Sequence, residues 1–161
     1  MNVKRMVRVA MLTALACALT FFPKVPIGGG YVHFGDSIIY VTAIMLGPAA
    51  GAVVGAVGHG MADLLSGYAV FVIPTLVIKG IMGYAIGKIV HNHIDVKHYA
   101  LGSLAALLIV TGGYFVAEIP LMGMETALIS LLSSPIQWAM SMLASAVLIP
   151  IIMKNRNKLG F

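Results

Sequence analysis

The stretch Phe71–Val90, FVIPTLVIKGIMGYAIGKIV, is twenty residues long, and Lys79 and Lys88 are its charged members. A helix of about 20 mostly apolar residues crosses the roughly 30 Å hydrocarbon core of a bilayer. The whole chain shares this character, with 60% hydrophobic residues, 9% charged residues and a mean hydropathy of +1.01. So few charged side chains cannot cover a soluble domain of 161 residues. We therefore expect a membrane protein whose solvent is lipid.

The composition also excludes several functional classes. Cys17 is the single cysteine, so neither a disulfide framework nor a cysteine metal site is possible. The net charge of +5 arises from Lys and Arg at the ends of apolar segments, without the aromatic and basic patch of a nucleic-acid binder. Residues Met1–Ala18 resemble a secretory signal, but a retained first helix is the favoured interpretation.

Apolar segments separated by Pro, Gly and charged residues predict an all-α fold, a single domain over residues 1–161 with six transmembrane helices. The second and third are short, and a four-span chain in which they form a re-entrant pair is the alternative. Basic residues flank the first and last segments, so both termini are expected in the cytoplasm. The predicted helices are Met6–Phe22, Asp36–Leu46, Ala49–Leu65, Phe71–Val90, Tyr99–Ile119 and Pro135–Met153.

Ionisable residues inside a bilayer are costly, so each is a functional candidate. The six-span topology places seven polar or aromatic residues in the outer half of the membrane, and their convergence predicts a pocket open to the outside. These residues are Asp36, His59, Asp63, Lys79, Glu118, Gln137 and Trp138.

Each of these residues also has a structural interpretation. Lys79 could form an ion pair with Asp63 or Glu118 instead of binding a ligand. His59 lies one helical turn from Asp63 and could hydrogen-bond to it, but the pair lacks a third ligand for a metal, so no metal site is predicted. Trp138 is either an interfacial residue or a stacking surface for a flat ring.

The glycine-rich loop from Pro23 to Phe34 favours a mobile lid over the pocket, with a plain connector as the alternative. Ala10, Ala14 and Ala18 form a smooth ridge at i, i+4 spacing, suited either to packing within the bundle or to an external helix. No nucleophile elbow, metalloprotease helix or ATP-binding motif is present. A chain that moves a solute without such a motif needs an energised partner. A lipid-modifying enzyme using His59 and Asp63, or an assembly protein, is the alternative.

The stretch from Tyr31 to Gly87, around HFGDSIIYVTAIMLGPAAGAVVGAVGHGMADLL, resembles the S components of energy-coupling factor (ECF) vitamin transporters. The alanine ridge and the six helices in so small a chain share this resemblance, which covers nearly the whole sequence. Within the family the chain looks most similar to members for hydroxymethylpyrimidine or vitamin B6, followed by riboflavin-type members.

The resemblance implies a multi-pass subunit of a prokaryotic cell membrane that is not an enzyme and captures a vitamin at its outer face. ATP is then used by two ATPase subunits, and this chain holds no cofactor. A transmembrane coupling protein, the T component, would dock on Ala10, Ala14 and Ala18. The resemblance also implies a lid at Gly28, Gly29 and Gly30 continuing to Tyr31 and His33, and vitamin contacts at Lys79, Glu118, Gln137 and Trp138, with Asp36 and Asp63 as further candidates.

Overall fold

A computed structural model describes Val3–Ile27 and Gly30–Asn155. Within these residues the chain forms six helical rods, as predicted, together with a short β-hairpin. The third rod is continuous but irregular, because a π-helical turn over Val54–Gly58 separates two α-helices. The elements are α1 (Val3–Phe21), β1 (Val25–Ile27), β2 (Gly30–Val32), α2 (Gly35–Leu46), α3 (Pro48–Val53), α4 (His59–Leu65), a 3₁₀ turn (Ala69–Phe71), α5 (Val72–Val90), α6 (Val96–Met122) and α7 (Met124–Lys154).

Membrane-spanning length is reached in three places within the described residues, namely Ala69–Val90, Val96–Met122 and Met124–Lys154. The remaining rods are shorter or more polar. The chain is therefore a helical membrane protein, and three of its six rods meet the length and apolarity expected of a span.

The short helix α2 forms the centre of the bundle. Every residue from Gly35 to Ile44 is buried, and the helix contacts α1, α3, α5 and α7. Helix α3 fits between α2 and α5 because Gly51 has no side chain; a Cβ there would lie 2.6 Å from the Cβ of Ala43 and 2.7 Å from the carbonyl oxygen of Gly83. Small residues of this kind let helix backbones approach closely inside a membrane bundle. Protein surrounds α2, so it need not match the bilayer thickness.

The start of the last helix was predicted wrongly. Helix α7 begins at Met124, far before Pro135, and Pro135 and Pro150 lie inside it. The break falls instead at Gly123, whose φ of 90° ends α6 and begins α7. Glycine adopts this left-handed conformation without steric cost, so it stops the helix more effectively than the proline, which removes one hydrogen bond.

The loop after α1 contains a short β-hairpin, which the all-α prediction did not include. Strands β1 and β2 pair antiparallel, with Val25 opposite Val32 and Ile27 opposite Gly30. Gly28 and Gly29, two of the three predicted lid glycines, lie outside the described residues, whereas Gly30 begins β2. Strand β2 contacts α7, so the hairpin rests on the helical bundle.

Candidate functional site

A cavity of about 260 Å³ opens between the hairpin and the ends of α1, α4, α5, α6 and α7. Six of the eight predicted binding residues line it, while Asp36 and Trp138 are absent from its lining. Most of the lining residues carry a hydroxyl, phenol, imidazole or carboxyl group, while apolar atoms form the larger part of the wall, so the cavity suits a small ring with polar substituents. The lining predicted from sequence consists of Tyr31, His33, Asp63, Lys79, Glu118 and Gln137.

Beneath the cavity lies a buried ion network centred on Asp36. The Lys79 ammonium donates to Asp36 Oδ1 at 2.8 Å and to Oδ2 at 2.7 Å, and the two side chains are 4% and 2% exposed. His59 Nε2 lies 2.9 Å from Asp36 Oδ1. The alternative in which Lys79 pairs with Asp63 or Glu118 is therefore wrong: its partner is Asp36, the first acid of α2.

The predicted hydrogen bond between His59 and Asp63 is also wrong. His59 turns toward Asp36, and its Nδ1 lies 3.1 Å from the carbonyl oxygen of Gly55. Asp63 instead accepts a long hydrogen bond, 3.4 Å, from the phenol of Tyr31. His59 and Asp63, one turn apart on α4, therefore contact different residues.

Gln137 connects this network to the hairpin. Its Oε1 accepts from the backbone N–H of His33 at 2.8 Å, and its Nε2 donates to the His33 carbonyl at 2.9 Å. The same amide nitrogen lies 3.3 Å from Asp36 Oδ2 and 3.1 Å from the Ser141 hydroxyl. The amide is fully used within the protein, so Gln137 fixes the end of β2 against α7.

Trp138 does not provide a stacking surface in the cavity. Its indole N–H donates to the carbonyl oxygen of Ser103 at 2.7 Å and lies 2.9 Å from the Ser103 hydroxyl, which also contacts the Tyr40 phenol at 3.1 Å. Trp138 therefore joins α7 to α6.

Two stacked tyrosines line the cavity, and a lysine lies against them. The rings of Tyr31 and Tyr68 stack with centroids 5.8 Å apart. Lys24 Nζ lies 4.4 Å from the centroid of Tyr31, a cation–π contact, and donates to the Ser66 hydroxyl at 2.6 Å. Burial and the nearby Asp63 carboxylate raise the pKa of Tyr31 well above its usual value, so its phenol remains a hydrogen-bond donor.

Sequence reasoning missed several residues that line the cavity. Tyr114 lies 5.6 Å from the Lys79 ammonium by its ring centroid and contacts the Thr75 hydroxyl through its own at 3.0 Å. The hydroxyl groups of α7 that line the cavity were missed because the predicted helix began at Pro135, after all of them. Their spacing was the available signal, since polar residues three or four positions apart mark one helical face. Such a row runs through Thr126, Ser130, Ser133, Gln137 and Ser141, with Ser134 beside it.

One group of side chains has the spacing of a metal site. The ligand atoms of His33, Asp36 and His59 lie within 4.8 Å of one another, and all three residues are buried. Both oxygens of Asp36 already accept from the Lys79 ammonium, however, so a metal ion would have to displace that cation. We assign the group to the ion network.

Comparison with known proteins matches residues 1–158 to the family described as the ECF-type riboflavin transporter S component. The chain belongs to this S component family. One relative is the thiamine precursor transporter HmpT of Lactococcus lactis subsp. cremoris (strain MG1363), 26% identical over 163 residues that cover 99% of this chain and 94% of that protein. Another is an uncharacterised protein of Pyrococcus woesei, 33% identical over 90 residues, 56% of this chain and 60% of that protein. The chain thus spans less than two thirds of the Pyrococcus relative.

The S component also carries an apolar groove away from the cavity. Ala10, Ala14 and Ala18 are exposed on α1, so this ridge faces outward and does not pack within the bundle. The groove runs between α1 and the third rod, and its wall is almost entirely apolar. It is lined by Met6, Val9, Ala10, Thr13, Ala14, Cys17, Val53, Val57 and Met61.

Proposed function

We propose that this S component captures a small single-ring vitamin, of the hydroxymethylpyrimidine or pyridoxine (vitamin B6) type, and hands it to an ATP-driven coupling module. The cavity carries this proposal. Its volume of about 260 Å³ lies just below the roughly 300–1,000 Å³ of pockets for drug-sized ligands. The relationship to a thiamine precursor transporter over nearly the full length supports the same ligand class.

The chemistry of the wall supports a ring with hydroxyl or amino substituents. Asp63 and Glu118 offer carboxylate acceptors, and Tyr31 and Tyr114 offer aromatic surface with hydroxyl groups. These are the few placed polar partners that orient a flat heterocycle in a membrane-embedded site. Lys79, Gln137 and Asp36 hold the floor in place beneath it.

In the proposed orientation the cavity lies on the outer side of a prokaryotic cell membrane and both termini lie in the cytoplasm. Basic residues near both chain ends, Arg5 and Lys154 among them, support this arrangement. The hairpin between α1 and α2 then covers the cavity from outside and acts as its lid, with the Tyr31–Tyr68 stack as one of its contacts to the rest of the protein.

The groove beside α1 is the proposed docking surface for the transmembrane coupling (T) component, which works with two ATPase subunits. Ala10, Ala14 and Ala18 leave a smooth exposed face on which another helix can approach closely. The neighbouring lining is apolar, so a helix of the T component can replace lipid there without burying polar groups.

Riboflavin is the second candidate ligand, favoured by the description of the matching family. Its three fused rings and ribityl chain need more room than a single ring. An enzymatic role is disfavoured, since the family consists of transporter subunits and the polar groups of the cavity floor bond to one another.

Calorimetric titration of the purified chain in detergent, without ATP, tests this function. The panel contains hydroxymethylpyrimidine, pyridoxine, pyridoxal, thiamine and riboflavin. We expect saturable binding of one single-ring compound with a dissociation constant below about 1 μM.

A variant of the cavity wall tests the site. Asp63→Asn should weaken the binding of that compound about tenfold or more, because a carboxylate acceptor is lost from the wall. The matched control Asp95→Asn changes an acid at the start of α6, outside the cavity, and should leave the affinity unaltered. Absence of binding by folded protein would contradict the proposal.

A further inference from the structure

Lys79 does not give the cavity a free positive charge, because it is already paired with a carboxylate. Of the lysines and arginines that the structure describes, Lys79 is the one that lines the cavity, and its ammonium already binds both oxygens of Asp36 at 2.7–2.8 Å. Both side chains are almost completely buried. An anionic ligand group would have to compete with this internal carboxylate for the same cation.

The two histidines of the cavity offer no free positive charge either. His59 lies close to groups of the protein itself, with Nε2 2.9 Å from Asp36 Oδ1 and Nδ1 3.1 Å from the Gly55 carbonyl oxygen, so its ring nitrogens face the ion network and the backbone. His33 Nδ1 accepts the backbone N–H of Gly35 at 3.1 Å, as a neutral imidazole does. Burial lowers the pKa of His33 to about 3, so it stays neutral at physiological pH.

Two further carboxyl groups line the cavity without a cation of their own. Neither Asp63 nor Glu118 forms an ion pair within 4.0 Å among the described residues. Lys24 acts on Asp63 from a longer distance, while its ammonium donates to Ser66. Glu118 Oε2 is buried and has no hydrogen-bond partner in the described part of the chain. A buried acceptor of this kind is costly unless a donor reaches it, and Glu118 is one of the residues that line the cavity.

We propose that the cavity selects neutral or cationic rings bearing N–H or O–H donors and rejects the phosphate esters of the same rings. This inference rests on the proposed function, since it concerns the ligand of that site. A phosphate group adds about 1.5 to 2 negative charges near neutral pH. Those charges would lie beside two carboxylates that have no cation of their own, with the lysine already bound.

The test compares matched ligands that differ by the phosphate alone. The purified full chain in detergent is titrated at about pH 7.5 with pyridoxine and pyridoxine 5′-phosphate, and with hydroxymethylpyrimidine and its phosphate. We expect each phosphate ester to bind about 100-fold more weakly, or worse, than its parent alcohol, because the phosphate would place like charges together in the binding site.

Substitutions in and near the cavity wall test which residues cause the selectivity. Glu118→Gln removes one unpaired carboxylate and should reduce the alcohol-to-ester affinity ratio about tenfold. Glu125→Gln is the matched control, an exposed acid in the first turn of α7 that does not line the cavity, and should leave the ratio unchanged. Asp36→Asn releases the Lys79 ammonium and should reduce the ratio further; if that variant does not fold, Glu118→Gln decides alone.

The outcomes separate this inference from the proposed function. An ester that binds as tightly as its alcohol overturns the charge selectivity and leaves vitamin capture intact. A ratio that is the same in Glu118→Gln and in the unaltered chain also overturns it. If folded protein binds neither member of either pair, the proposed ligand class fails, and the selectivity fails with it.

Discussion

The cavity and the apolar groove are both built partly from α1 and the third rod, yet their chemistry is opposite. The cavity combines carboxyl, imidazole, phenol and hydroxyl groups around a buried ion pair. The groove is lined by Ala, Val and Met with a single threonine and a half-buried cysteine. In a bilayer, polar groups are costly and small apolar faces are ordinary. The cavity therefore has its structure dictated by electrostatics, and the groove by shape.

Removing the lysine of the ion pair should have the largest effect. Lys79→Met leaves the Asp36 carboxylate buried without its cation, which costs about 3–5 kcal/mol of unfolding free energy. Thermal unfolding in detergent measures this loss. Lys88→Met is the matched control on the same helix, at an exposed position, and should cost less than about 0.5 kcal/mol. The double variant Asp36→Asn/Lys79→Met should recover much of the stability; if it is no more stable than Lys79→Met, charge is not what the pair contributes.

A bulky residue in the groove should weaken assembly with the coupling module without changing ligand affinity. Ala14→Trp fills the exposed alanine face and should weaken assembly with the coupling module by up to about 3 kcal/mol, roughly a hundredfold. Ligand affinity should stay unchanged, because Ala14 does not line the cavity. Co-purification with the T component and calorimetry measure the two effects. The matched control is Ala100→Trp, on the exposed surface of α6 away from the groove, which should leave assembly intact. Simultaneous loss of ligand binding in Ala14→Trp would point to misfolding.

The smallest expected effect is a pH dependence of the cavity floor. The buried His33 has a pKa of about 3, against 6.5 for an exposed histidine, chiefly because burial disfavours its charged form. The unfolded chain therefore binds more protons than the folded one between these values, and stability falls as the pH drops below about 6.5.

Between about pH 7.5 and pH 5 we expect a loss of about 1–2 kcal/mol from His33. His33→Asn keeps an acceptor for the Gly35 N–H but cannot titrate, so its stability should fall less over the same range. Parallel unfolding curves at both pH values measure the difference. An equal loss in both proteins would assign the pH dependence to groups other than His33.

The helical rods were predictable because each is an apolar run that Gly, Pro or charged residues end, and such runs are visible in the sequence. The partner of Lys79 was not predictable in this way. Asp36 lies 43 positions away, and helical spacing relates only residues three or four apart. Which acid meets the lysine depends on how α2 sits against α5, which follows from close packing at Gly51 and Gly83.

The errors at the ends of elements have a similar origin. The sequence predicted a helix start at Pro135 because proline is common there, but a long helix packed against neighbours tolerates it. The hairpin strands are three residues each, too short for an alternating pattern to be recognised. The cavity residues, by contrast, were found largely by one rule, that an ionisable group within a membrane needs a reason to be there.

The π-helical turn at Val54–Gly58 determines the direction in which the side chains after it face. Val53, Val57 and Met61 point to the groove, whereas His59 and Asp63 reach the cavity. A π turn amounts to one extra residue in an α-helix, and each residue turns the helix by about 100°. Without that extra residue, everything after Gly58 would rotate by this angle, and His59 would swing away from Asp36. A single inserted residue thus allows one rod to face the polar cavity on one side and the apolar groove on the other.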